Sequence, residues 1–168
     1  MSIESKKTIF FKILESAPLI LLFISVLNEF DFNYLNLDYF SFNFPFILIF
    51  FFTLKEFKNF DYLLVFFAGL INDTVVGLPL GISSLSYVLI CIATSYFRNI
   101  TIRPNPIKDW FYFLFVICLL NSLNYSLLTL FFSYNLVLMD YLVNVFFTFM
   151  FYMIFTYVFK FYLKGLND

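Results

Sequence analysis

The sequence predicts an all-α membrane protein, a bundle of six transmembrane helices with a Gly/Pro hairpin between the third and fourth. Two observations predict it. Of 168 residues, 62% are hydrophobic and 12% are charged, where soluble domains carry roughly 45–50% and about 25%. A domain of this size leaves about 30% of its unfolded-chain surface in water. Here that surface would be almost wholly apolar, which excludes a soluble monomer and makes lipid the outer solvent. The second observation is where the few charges fall, once the spans are placed.

The first span runs over about 9–27, with Lys12 and Glu15 near its start and Pro18 behind them. No small-residue cleavage site follows it, so it reads as a retained span and not as a removed signal peptide. The second covers about 39–54, with Pro45 in its early part. The third covers about 60–76. The fourth covers about 78–97 and begins at Pro79, because proline suits a first helical turn. The fifth covers about 109–132 and the sixth about 136–159. Several are near the short end of the roughly 17–25 residues that a spanning helix needs. Local membrane thinning or a re-entrant turn between the third and fourth is therefore open.

All ten basic residues fall on one side of these spans. Lys6, Lys7 and Lys12 open the first; Lys55 and Lys58 lie between the second and third. Arg98, Arg103 and Lys108 lie between the fourth and fifth, and Lys160 and Lys164 follow the sixth. The opposite side holds only acids: Glu29, Asp31, Asp38, Asp73 and Asp140. By the positive-inside rule both termini are cytoplasmic. The stretch from Asn28 to Phe40 alternates aromatic and polar residues, which suits the outer interface.

Composition also limits chemistry. There is no histidine, the commonest transition-metal ligand and proton shuttle. Cys91 and Cys118 both lie in apolar runs, which speaks against zinc or a structural disulfide. No serine or cysteine has a base nearby in sequence, carboxylates do not cluster, and no nucleotide fingerprint occurs. The net charge of −1 gives no basic patch for nucleic acid. The chain therefore reads as non-catalytic, with no cofactor and membrane lipid as its surroundings. The Phe-rich composition, 29 residues, reads as apolar filler and not as a ligand cage.

Two groups of polar residues stand out. The first is the segment from Gly69 to Gly81, which holds Gly69, Asp73, Gly77, Pro79 and Gly81. Three glycines and a proline so close together mark a tight helix–turn–helix. An ionisable group at membrane depth is a functional candidate. Asp73 can cap the following helix through its backbone N–H groups, contact a partner protein, or handle protons or solute. The second group is a pair of polar faces: Asn121 and Asn124 on the fifth span, and Asn144, Thr148, Tyr152 and Thr156 spaced four apart on the sixth. These form either hydrogen bonds within the bundle, or a polar cavity or partner-helix groove. Lys12 and Glu15 suit an i,i+3 pair at the inner interface. The loop from Arg98 to Pro106 is stiffened by its prolines and presents a basic surface to a cytoplasmic protein or anionic lipid.

The hairpin resembles the most recognisable stretch of the rod-shape-determining MreD family, Gly-Leu-x-x-Asp-x-x-x-Gly-x-Pro-x-Gly. Here the positions are Gly69, Leu70, Asp73, Gly77, Pro79 and Gly81, with Leu85 following. Length, the central place of the hairpin and a basic loop after the fourth span resemble that family too. The resemblance implies a bacterial inner-membrane component of the cell-elongation machinery. It also implies docking to an MreC-like single-span protein and, through it, links to MreB filaments, the glycosyltransferase RodA and the elongation transpeptidase. In overall fold the family resembles the substrate-binding subunits of energy-coupling-factor vitamin transporters, which makes such a subunit the alternative expectation.

Overall fold

The computed structural model describes residues 16–27, 41–57, 60–101, 105–134 and 137–167. Among them, all regular structure is helical. The helices are α1 (Ser16–Leu27), α2 (Phe44–Leu54), α3 (Tyr62–Val76), α4 (Ile82–Ile100), α5 (Pro106–Phe132) and α6 (Leu138–Asn167). The Lys12–Glu15 pair, the stretch from Asn28 to Phe40 and the tip of the basic loop at Arg103 lie outside the described residues.

Local chemistry sets most helix starts. Asn43 caps α2, its Oδ1 accepting the Phe46 N–H at 3.2 Å, with Pro45 in the first turn. Asp61 caps α3 through the Leu63 N–H, and Asn105 caps α5 through the Ile107 N–H. The fourth helix departs from the expected start at Pro79. It begins at Ile82, because Gly77 and Gly81 both take positive φ, +75° and +108°, and leave Pro79 in the turn between them. At the other end of the chain α6 continues past Phe159 to Asn167.

Helices α5 and α6 are long and apolar enough to cross a membrane, while α1, α2 and α3 are shorter. At 1.5 Å per residue, α2 is only about 16 Å long. It is also the most enclosed element, with Phe46 through Thr53 all buried. It packs on α4 and α6. Around it lies an aromatic core in which Phe50 meets Phe113 and Tyr152, and Phe51 and Phe52 meet Phe159.

Contacts along the helices show their directions. Phe46 meets Tyr87 and Thr53 meets Cys91, so α2 and α4 run the same way. The Asn43 N–H meets Thr148 and Phe52 meets Phe159, so α6 runs with them. Trp110 meets Phe149 and Tyr125 meets Tyr141, so α5 runs opposite to α6. The described basic residues Lys55, Arg98, Lys108, Lys160 and Lys164 therefore gather at one end of the bundle. Arg98 ties that end together. Its guanidinium meets Glu56 at 2.7 Å and donates to the Thr53 carbonyl at 3.0 Å.

The outer faces of the helices carry many large apolar side chains, and several polar ones are buried inside beside the apolar core. Ser83, Ser84, Ser86 and Thr94 of α4 are buried, while its Leu85, Ile92 and Tyr96 are exposed. On α3, Asp73 is buried while Leu63, Phe67 and Val76 are exposed. On α6, Thr148 and Thr156 are buried while Phe146, Ile154 and Tyr157 are exposed.

Candidate functional site: the α3–α4 hairpin and the cleft beside it

The hairpin is organised by one residue. Asp73, near the end of α3, is fully buried. Its Oδ2 accepts the Gly81 N–H at 2.7 Å and its Oδ1 accepts the Ser83 N–H at 2.8 Å. The carboxylate thus satisfies N–H groups that a helix leaves unpaired at its start, where the helix dipole favours negative charge. The Asp73 carbonyl accepts the Gly77 and Leu78 N–H groups and so closes the end of α3. One residue therefore ends one helix and starts the next.

The glycines follow from this geometry. Gly77 and Gly81 take backbone conformations that L side chains rarely adopt, and neither is crowded. Gly69 is different. A Cβ there would stand 2.6 Å from the Ser84 main-chain nitrogen, and nearer still to its Cα. Gly69 lets α3 and α4 cross with their backbones in contact, the role small residues play between membrane helices. Asn72 adds a further tie, its Nδ2 donating to Ser83 Oγ at 2.8 Å.

Beside the hairpin lies a cleft of about 440 Å³. Its floor is buried and mixed, formed by Phe46, Tyr87, Ser83, Ser86 and Leu128. Its walls carry the half-buried side chains of Asn72, Asn121, Asn124 and Asn144, and Asp140 lies exposed at its edge. Three helices supply these four carboxamides and Asn43, ahead of α2, supplies a fifth; the cleft lies at the end of the bundle opposite the basic residues. Ser86 Oγ donates to Asn124 Oδ1 at 2.8 Å and links α4 to α5. Asn144 Nδ2 donates to Ser41 Oγ at 3.2 Å.

The polar face expected on the sixth span divides in the structure. Asn144 lines the cleft. Thr148 lies deeper and its Oγ1 accepts the Asn43 N–H at 2.9 Å, holding the start of α2 against α6. Tyr152 leaves the cleft altogether and stacks on Phe113 in the aromatic core, ring centroids 4.4 Å apart. Asn121 and Asn124 do share the cleft, with the Asn121 Nδ2 donating back to the Ile117 carbonyl. Asn72, Ser83, Ser86 and Tyr87 were not singled out from sequence. Their signal was present: Asn72 precedes Asp73, and three serines crowd the first turns of α4.

Compared with protein-family models, with curated proteins and with solved structures, the chain matches none.

Proposed function

We propose that this chain is a multi-pass bacterial inner-membrane protein of the MreD kind. In this reading all six helices cross the membrane and both termini are cytoplasmic. The protein is a non-catalytic component of the cell-elongation machinery. It docks the single span of an MreC-like partner and through it supports MreB-linked lateral peptidoglycan synthesis by RodA and the elongation transpeptidase.

The observation that carries the reading is the double cap by Asp73. The motif behind the resemblance needs an acid eight residues before a glycine, and here that spacing places the carboxylate on the start of α4. The apolar outer faces of α3, α4 and α6 support immersion in lipid. The short α2 suits the same setting, because its middle is enclosed by protein and not by hydrocarbon. The gathering of basic residues at one bundle end supports cytoplasmic termini.

A pull-down of the tagged full chain in mild detergent, read by mass spectrometry, tests the role. Recovery of an MreC-like protein with cell-wall synthases is the expected result. Recovery of ATPases with a coupling membrane subunit would overturn it and establish a second reading, a substrate-binding subunit of an energy-coupling-factor-type vitamin transporter. One observation favours that second reading, the polar cleft. Reporter fusions at Leu80 and after Lys164 test the topology, with the first expected outside and the second inside.

A further inference from the structure

We infer that the cleft between α3, α5 and α6 is a binding site for an uncharged small molecule bearing hydroxyl or amide groups. The inference rests on neither partner assignment, since it follows from the cleft itself. At about 440 Å³ the cleft is within the roughly 300–1,000 Å³ range of small-molecule sites.

Its polar groups are only partly used by the protein. The Asn72 and Asn121 side-chain oxygens and the Asn124 amide nitrogen have no hydrogen-bond partner among the described residues, and neither do the Tyr87 and Tyr141 hydroxyls. Holding helices together does not require so many spare donors and acceptors. In a bundle clad in apolar side chains, such groups are costly unless water or a ligand meets them. They converge from three helices, as the polar groups of a ligand site do.

Charge selects the ligand class. Among the described residues, no lysine or arginine lines the cleft. The described basic residues sit at the far end of the bundle. Asp140 stands at the rim, and the Asp73 charge behind the floor is already met by the α4 N–H groups. Among the described residues, a phosphate or carboxylate would find no counter-charge and one repelling acid. Carboxamides and hydroxyls instead match a neutral partner that both donates and accepts. Phe46 and Leu128 offer such a partner an apolar face.

The test is thermal unfolding of the purified full chain in detergent, with uridine, glucose and N-acetylglucosamine set against their monophosphates. A ligand that binds only the folded state raises the unfolding temperature with concentration. At least one uncharged compound should do so saturably, and its phosphorylated form should not. Asn121→Leu should weaken that response about tenfold, the scale expected when one hydrogen-bond partner is lost. Asn144→Leu provides the same comparison from α6 if Asn121→Leu does not yield a folded protein. No response to any uncharged compound would overturn the inference. So would an equal response to the phosphates, or a response unchanged in both variants.

Discussion

Gly69 and Ser84 hold α3 and α4 at backbone contact: the place a Cβ would take on Gly69 lies 2.6 Å from the Ser84 nitrogen. The obstacle is main chain, which cannot swing aside as a side-chain end can. Gly69→Ala should therefore force the helices apart and cost on the order of 1–3 kcal/mol, the range for overpacking. Heating in detergent followed by fluorescence-detected size exclusion would show it as a lowered unfolding temperature. An unchanged temperature would mean that the crossing is looser than drawn.

The same contact leaves the Ser84 hydroxyl fully buried with no hydrogen-bond partner among the described residues. Removing an unsatisfied polar group is neutral or favourable. Ser84→Ala should leave the unfolding temperature unchanged or raise it, in contrast to Ser86→Ala, which removes a hydroxyl bonded to Asn124.

Asp73 can be separated into its charge and its geometry. Asp73→Asn keeps one acceptor for the two N–H groups and loses the charge at the helix start. Asp73→Leu loses both acceptors and strands the Gly81 and Ser83 N–H groups in a buried site. The expected order of loss is wild type, then Asn at about 1 kcal/mol, then Leu at roughly 2–4 kcal/mol. If Asp73→Leu gave wild-type expression, partner recovery and cell shape, the hairpin would have no part in the proposed role. Gly81→Ala, at φ +108°, should lower stability more than Gly77→Ala at +75°, because the latter lies closer to the left-handed region that non-glycine residues can enter.

The Ser86–Asn124 bond is the polar link between α4 and α5 at the cleft. A double-mutant cycle with Ser86→Ala and Asn124→Ala should give a coupling of about 0.6 kcal/mol, the average for such bonds between membrane helices. A coupling indistinguishable from zero would show that the two side chains do not meet in the folded protein.

Much of the fold was legible in the sequence because its signals are local. The apolar runs located the helices but not their starts: the caps Asn43, Asp61 and Asn105 begin them at Phe44, Tyr62 and Pro106, where starts at about 39, 60 and 109 were expected. The hairpin could be located because Asp73, Gly77 and Gly81 act within a dozen residues of one another. The start of α4 was misplaced at Pro79, because the left-handed conformation of Gly81 outweighs the preference of proline for a first turn. The six membrane crossings belong to the proposal; among the described residues, α5 and α6 are the helices with the length and apolarity for one.

By itself, the sequence determined helical structure throughout the described residues, the order of the apolar segments, the hairpin and the gathering of the described basic residues at one end. These follow from composition and from interactions between residues close in the chain. Only the tertiary structure decided that α2 is the enclosed centre. The same holds for Tyr152 turning into the aromatic core while Asn144 faces the cleft, and for the five asparagines Asn43, Asn72, Asn121, Asn124 and Asn144 meeting there. Such meetings depend on how far each helix is rotated about its own axis. Helices apolar nearly all round, as α2, α5 and α6 are, carry little pattern from which that rotation can be read.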